Sequence, residues 1–224
     1  MYKGIIFDLD GTLLNTITDL NNSVNDTYKY FSYPKTNTEK ETMAMVGHGM
    51  KNLMQQCFKD KDETFIEEAL KVFLNFYDKQ YALCTKPYEG VTELVDTLID
   101  LGIKVGVNSN KNNNYTKHLI ELNFNKINQN YVAGIKPKDK TKPDPTNVLK
   151  LIEEMKLNND EILYVGDSPT DVETAKNAKL KSVGVTWGYR PKEKLIEKGV
   201  DYIIDNPNEL LKLIARRIKW RDFL

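Results

Sequence analysis

The chain has 224 residues, with 32 Lys+Arg against 32 Asp+Glu, so its formal net charge is zero. That balance argues against a polyanion-wrapping protein, because nucleic-acid binders carry a basic excess. A composition of 40% hydrophobic and 29% charged residues is globular rather than disordered. No run approaches the roughly 18 apolar residues of a membrane span. The start Met1-Tyr2-Lys3-Gly4 meets Asp8 after a short apolar stretch and does not read as a signal peptide. Cys57 and Cys84 stand in neither a metal-ligand nor a redox spacing. The expectation is a soluble, reduced, cytoplasmic protein with no nucleic-acid or membrane partner.

In chain order, residues 4–9 form an apolar run ending in acid, the pattern of a buried strand leaving a sheet at its carboxyl edge. From Asn15 to about Ala82 apolar positions recur at helical spacing, as in Ile66, Ala69, Leu70, Phe73 and Tyr77. Ser32-Tyr33-Pro34-Lys35 and Val46-Gly47-His48-Gly49 break that region twice. Beyond Pro87 the pattern alternates. Helices are expected at 90–101, with Gly102 at the C-cap, and at 113–123, 145–156, 170–178, 191–198 and 208–219. Strands are expected at 103–108, 131–135, 161–166, 181–186 and 201–204. This predicts an α/β class: a Rossmann-like parallel sheet with helices on both faces, in residues 1–14 and 83–224. A small helical domain, residues 15–82, is inserted after the first strand.

Ligands of open parallel sheets bind beyond the carboxyl ends of the strands, and three of those ends here are densely polar. The first is Asp8-Leu9-Asp10-Gly11-Thr12, where an extended backbone would turn both carboxylates to one side and Gly11 would allow close approach to a ligand. A surface Asp-Gly turn is the plainer alternative. The second is Val107-Asn108-Ser109-Asn110-Lys111, a polar loop with a hydroxyl that can donate to an oxyanion and a lysine that adds charge. The third is Gly166-Asp167-Ser168-Pro169-Thr170-Asp171, where Ser168 suits an N-cap, Pro169 the first turn, and Asp171 the helix dipole. Lys142, just before Pro143-Asp144-Pro145, is a candidate counter-ion. Hard carboxylate oxygens at this density suit Mg²⁺. Zinc is disfavoured, since only His48 and His118 are at hand and neither cysteine is placed to help.

Asp8-x-Asp10-Gly11-Thr12, Ser109, Lys142 and Gly166-Asp167-Ser168-x-x-Asp171 together resemble the four motifs of the haloacid dehalogenase superfamily of phosphohydrolases. Val46-Gly47-His48-Gly49, Ser109-Asn110-Lys111, Lys142-Pro143-Asp144-Pro145 and Thr186-Trp187-Gly188-Tyr189 resemble its phosphoglycolate phosphatase branch. Two departures are Asn15, where that branch commonly has an acid, and Met50-Lys51, where it commonly has a basic residue directly after the Gly-His-Gly. The dehalogenases themselves lack the second acid of the first motif, here Asp10.

The resemblance implies a Mg²⁺-dependent phosphatase acting on a small phosphorylated metabolite such as phosphoglycolate. A mutase of the β-phosphoglucomutase kind, a pyrophosphatase or a 5′-nucleotidase are alternatives on the same core. It implies Asp8 as nucleophile forming an aspartyl-phosphate, Asp10 as acid and base, and Lys142 as the catalytic cation. It implies a metal site of Asp8, Asp10 through its backbone carbonyl, Asp167 and Asp171. Phosphoryl or substrate contacts would come from Gly11, Thr12, Ser109, Asn110 and Lys111, with Gly47 and His48 supplied by the inserted domain acting as a cap. The expected assembly is a monomer or homodimer.

Overall fold

The computed structural model describes residues 2–218, with side chains described through Ala215; of Arg216, Arg217, Lys219 and Arg221, a basic run whose sequence suits a helix C-terminus, Lys219 and Arg221 lie outside the described residues. The chain divides into two compact units, residues 1–14 with 87–224 and residues 15–86.

The first unit is built on six parallel strands, β1 (Gly4–Phe7), β4 (Lys104–Asn112), β5 (Val132–Ile135), β6 (Ile162–Gly166), β7 (Lys181–Val185) and β8 (Tyr202–Ile204). Their order is β5-β4-β1-β6-β7-β8. Two short segments, β2 (Leu14–Asn15) and β3 (Lys86–Pro87), pair where the chain passes between the units. All four residues of β1 are buried, as a strand covered on both faces requires. The helices of this unit are α5 (Val91–Asp100), α6 (Asn113–Asn123), α7 (Thr146–Met155), α8 (Pro169–Asn177), α9 (Lys192–Glu197) and α10 (Asn208–Ile218). Right-handed crossovers put α5 and α6 on one face and α7, α8 and α9 on the other. On the latter face Ile6, Ile162 and Tyr164 pack against Val148, Leu151 and Met155 of α7 and Ala175 of α8.

The second unit holds α1 (Ile17–Tyr30), α2 (Glu39–Met45), α3 (Met50–Cys57) and α4 (Glu63–Gln80). Ile17, Leu20, Val24 and Tyr28 of α1 and Ile66, Ala69, Phe73 and Tyr77 of α4 are buried at three- and four-residue spacing, the stripe that joins two helices. Thr38 caps α2 in a reciprocal box with Glu41, and Asp62 caps α4 by accepting from Phe65 N–H at 2.9 Å. The buried Asp19 carboxylate accepts from Cys84 N–H at 3.0 Å and Thr85 N–H at 2.8 Å, which fixes the turn leaving α4. No described helix is long and apolar enough to cross a membrane.

Two expectations are corrected here. The first strand ends at Phe7, not at residue 9, so Asp8 to Asp10 is not extended: Thr12, Leu13 and Leu14 all turn their N–H groups onto the Leu9 carbonyl, at 3.3, 3.0 and 3.0 Å. Conversely, Ser109, Asn110 and Lys111 are not a loop. Strand β4 runs through them to Asn112, because pairing with β5 resumes at Asn112–Ile135 after an irregularity beyond Asn108–Ala133.

Gly134 on edge strand β5 lies under the start of α6. A Cβ there would stand 2.6 Å from Asn113 Cα and 2.7 Å from Lys111 O, both backbone atoms. Gly134→Ala should therefore cost about 1–3 kcal/mol, the usual penalty of overpacking, read as a lower urea midpoint. An unchanged midpoint would show that α6 is not seated on this glycine.

Candidate active site

Chain order along the sheet reverses beside β1: β4 and β5 are laid down on one side of it, and β6 then starts the other side. Such a reversal opens a crevice at the carboxyl edge, because the flanking connections run off to opposite faces. Asp8 is the first residue beyond β1 and Asp167 the first beyond β6, so both stand in that crevice. Strand β4 adds Ser109 and Lys111, the β5–α7 connection adds Lys142, and the first turn of α8 adds Asp171.

All of these are buried: Asp8 is 7% exposed, Lys142 6%, Asp167 2% and Asp171 2%. Lys142 Nζ lies 2.7 Å from Asp8 Oδ1 and 2.7 Å from Asp171 Oδ1, a single ammonium shared by two carboxylates. Lys111 Nζ lies 2.8 Å from Asp10 Oδ1. The backbone of Lys142 is held in turn, its N–H donating to Asn110 Oδ1 at 2.7 Å and its carbonyl accepting from Asn110 Nδ2 at 3.5 Å. Asp171 closes the capping box of α8, with Ser168 Oγ donating to its Oδ2 at 2.6 Å and Ser168 N–H at 3.1 Å. The other oxygen of Asp171 thereby stays turned toward Lys142. Asp167 Oδ2 accepts from Tyr189 N–H at 2.6 Å, and Thr12 Oγ1 donates to its Oδ1 at 3.5 Å.

Two glycines let this packing exist. Gly11 has φ +86°, and a Cβ on it would stand 2.6 Å from Asp167 Oδ2. A Cβ on Gly188 would stand 2.2 Å from Asp167 Cβ and 2.4 Å from the Gly11 carbonyl. Any side chain at either point would push Asp167 out of the crevice.

Burial is the largest influence on these acids. It lifts the Asp8 carboxyl well above its ordinary range, and Asp171 and Asp167 add to the rise against the opposing pull of Lys142. Asp167 is pushed up to about 7, by burial first and then by Asp171, against the Tyr189 N–H, Arg190 and Lys142. Burial alone would pull Lys142 down, yet Asp171 and Asp8 outweigh it and hold the ammonium above its usual range. Carboxylates forced upward in this way show a cluster short of positive charge. Lys111 and Lys142 pair with three of the four aspartates, and Arg190 acts on Asp167 from further off, so the acids still outnumber the cations beside them.

One oxygen each from Asp8, Asp167 and Asp171 lies within 4.8 Å of the others. Oxygens around Mg²⁺ stand no more than roughly 4.2 Å apart, so a small closure of the trio would fit one such ion. A hard, all-oxygen donor set with an excess of negative charge fits a divalent cation. The Asp10 carboxylate lies outside the trio and is taken up by Lys111, so among the metal ligands expected from sequence Asp10 has only its backbone carbonyl to offer.

Asp8, Asp10, Gly11, Thr12, Ser109, Asn110, Lys111, Lys142, Asp167 and Asp171 thus come together on one sheet edge. Asn110 faces the Lys142 peptide, and Ser109 Oγ accepts from Lys111 N–H at 3.1 Å. Gly47 and His48 lie in the α2–α3 turn of the second unit, where both are exposed. Sequence reasoning missed Tyr164 and Asn108: Asn108 Nδ2 donates to the Tyr164 hydroxyl at 3.1 Å, and that hydroxyl lies 3.5 Å from Asp171 Oδ1. A tyrosine inside the otherwise aliphatic Ile-Leu-Tyr-Val strand is the signal that could have found the pair. Trp187 Nε1 donates to the Thr12 carbonyl at 3.0 Å, so Trp187 tethers the Asp8 loop.

The sequence profile of the Haloacid dehalogenase-like hydrolase family matches residues 5–185. The chain belongs to that family. It is 34% identical over 222 residues to the Clostridium perfringens protein named "Putative pyrophosphatase PpaX", covering 96% of this chain and 99% of that one. It is 32% identical over 215 residues to phosphoglycolate phosphatase of Aquifex aeolicus, covering 96% and 97%. A Lactobacillus delbrueckii subsp. bulgaricus protein, solved as a "putative phosphoglycolate phosphatase", superposes with TM-score 0.90 at 25% identity, covering 95% of this chain and 98% of that one. As a member of this family the chain is a hydrolase of the phosphatase kind.

The raised Asp167 carboxyl has a signed consequence for stability. A carboxyl whose folded-state pKa stands above its unfolded value adds stability below that unfolded value, and loses it as pH rises through the folded one. In EDTA, the urea midpoint of the native chain should therefore fall relative to that of Asp167→Asn as pH rises from about 4 to about 7, the window between the ordinary 3.8 and the raised value. Parallel pH profiles for the two proteins would contradict the burial-driven shift.

Proposed function

We propose that the chain is a Mg²⁺-dependent phosphatase that cleaves a small phosphate monoester through an aspartyl-phosphate on Asp8. The observation that carries this reading is the shared Lys142 ammonium, which aims one oxygen of a buried Asp8 at the crevice while two further aspartates wait beside it. A nucleophilic carboxylate splits one hard displacement into two easier ones. In the first step an Asp8 oxygen bonds to phosphorus as the ester P–O bond breaks, and Asp10 gives its proton to the departing oxygen. In the second, water attacks phosphorus, the P–O bond to Asp8 breaks, phosphate leaves, and Asp10 takes the water's proton.

For the first step Asp10 must carry a proton, so its contact with Lys111 has to open when substrate enters. Lys111 is then released toward the phosphate. Lys142, Ser109 and the backbone N–H groups following Asp8 bind the equatorial oxygens, whose charge grows during transfer. Mg²⁺ held by Asp8, Asp167, Asp171 and the Asp10 carbonyl would neutralise the phosphoryl oxygens. Thr12 and Tyr189 N–H orient Asp167, while Ser168 and Tyr164 orient Asp171. The helical unit is assigned the part of a cap, with Gly47 and His48 as its substrate-selecting residues.

Phosphoglycolate is the first substrate we assign, on the match to the Aquifex aeolicus enzyme. Pyrophosphate is the second, favoured by the 34% identity to the Clostridium perfringens protein. Phosphate release from phosphoglycolate, pyrophosphate, sugar phosphates and nucleoside monophosphates should require Mg²⁺ and be abolished by EDTA. Asp8→Asn should lose roughly a thousandfold or more in kcat with an unchanged circular-dichroism spectrum. Glucose 1-phosphate converted to its 6-phosphate without free phosphate would make the protein a mutase instead. Retained turnover in Asp8→Asn would end the covalent reading.

A further inference from the structure

The connection from β7 to α9, residues 186–191, reaches back across the carboxyl ends of two other strands. Strand β7 pairs with β6 and β6 with β1, so the three ends stand in a row. The connection is anchored where it leaves β7. Thr186 N–H donates to the Ile204 carbonyl at 3.2 Å, and Thr186 Oγ1 donates to Asp205 Oδ1 at 2.8 Å.

From that anchor it holds both of the other ends. Tyr189 N–H donates to Asp167 Oδ2 at 2.6 Å, at the end of β6. Trp187 Nε1 donates to the Thr12 carbonyl at 3.0 Å, in the loop that follows β1. Between them Gly188 is seated so closely that a Cβ would stand 2.2 Å from Asp167 Cβ and 2.4 Å from the Gly11 carbonyl. Thr12 closes the circuit, its Oγ1 donating to the other Asp167 oxygen at 3.5 Å. Residues 187–189 thus grip Asp167 and the Asp8 loop together.

The indole N–H has a part in this beyond the packing of the ring. Thr12 is 1% exposed, and among the described residues no other group donates to its carbonyl. A ring placed there only to cover apolar surface needs no N–H, whereas this one meets a buried acceptor that nothing else serves. Removing the N–H would strand that carbonyl, and the loop would relieve the loss by moving toward water and away from Asp167. Asp8 and Thr12 belong to one tight curl, in which Thr12, Leu13 and Leu14 N–H share the Leu9 carbonyl, so a shift at Thr12 is passed to Asp8.

We propose that Trp187 is a positioning residue: its N–H fixes the Thr12 loop against Asp167 and so sets the spacing of the Asp8 and Asp167 oxygens that would receive Mg²⁺. The inference rests on the Mg²⁺-dependent reading given above. Oxygens already held near ion-binding distance have little ordering left to undergo, so a group that orients them contributes to metal affinity without touching the ion.

The test is Mg²⁺ binding to the full-length chain without substrate, followed by isothermal titration calorimetry, for the native protein and two variants. In one, Trp187 is replaced by β-(3-benzothienyl)alanine, which keeps the shape of the indole and puts sulfur in place of the N–H. The other is Trp187→Phe. The isostere removes the N–H alone, so it decides the question even if the smaller ring of Trp187→Phe disturbs folding. Both should raise the Mg²⁺ dissociation constant by roughly tenfold or more. The Mg²⁺ concentration that half-saturates phosphate release should rise by the same factor, while KM for the ester at saturating Mg²⁺ should move by less than about threefold. An unchanged Mg²⁺ dissociation constant in the isostere would overturn the proposal, because only the packing of the ring would then matter. A raised KM with Mg²⁺ binding intact would overturn it as well, by making the indole a contact of the ester. A native chain that binds no Mg²⁺ and hydrolyses no ester would end the phosphatase reading itself, and this inference with it.

Discussion

Lys142 stands 2.7 Å from both Asp8 and Asp171 with almost no water around it, and the arrangement of the whole carboxyl edge follows from keeping that contact. Bringing carboxylates so close inside a protein is unfavourable unless each is paired and hydrogen-bonded. The chain meets this condition with one shared ammonium, a backbone clamp from Asn110 that fixes where the ammonium starts, and a capping serine that turns Asp171 toward it. What remains is an excess of carboxylates over the cations beside them. On the proposed reading a divalent cation would supply the missing positive charge, and an anionic phosphate ester could enter beside these carboxylates only with that charge in place.

Sheet topology decides where this can happen. Because strand order reverses at β1, the ends of β1 and β6 are neighbours with no connection crossing between them, and Asp8 and Asp167 fill the gap. The clearance there is small enough that Gly11 and Gly188 have no room for a Cβ. Glycine at those two positions therefore follows from packing as much as from turn geometry. Tyr164 and Asn108 extend the same logic inward, placing a hydroxyl and an amide behind Asp171 on strands otherwise filled with aliphatic side chains.

Much of this was legible in the sequence. Alternating strands and helices predict the parallel sheet; Asp8, Ser109, Asp167 and Asp171 stand out as polar residues clustered at strand ends, and Lys142 as a lysine just before the rigid Pro143-Asp144-Pro145 turn. Strand limits were less legible. Residues 109–111 look like a loop because Asn and Ser are turn residues, yet pairing with β5 beyond the irregularity carries the strand through them. The Asp8–Asp10 segment reads as extended by its alternation, but three N–H groups converge on the Leu9 carbonyl and curl it. That curl separates the partners of the two acids, sending Asp8 to Lys142 and Asp10 to Lys111. Such pairings join residues more than a hundred positions apart, and no local pattern encodes them.

The central claim is that Asp8 becomes covalently phosphorylated during turnover. The most direct measurement is a rapid acid quench of protein mixed with Mg²⁺ and saturating substrate, followed by mass spectrometry of the peptide spanning residues 4–29. The account requires that this peptide gain the mass of one phosphoryl group on Asp8 within the first turnover, and that the gain be lost on treatment with hydroxylamine. Full turnover with no phosphorylated Asp8 at any quench time, or the phosphoryl group on another residue, would contradict it.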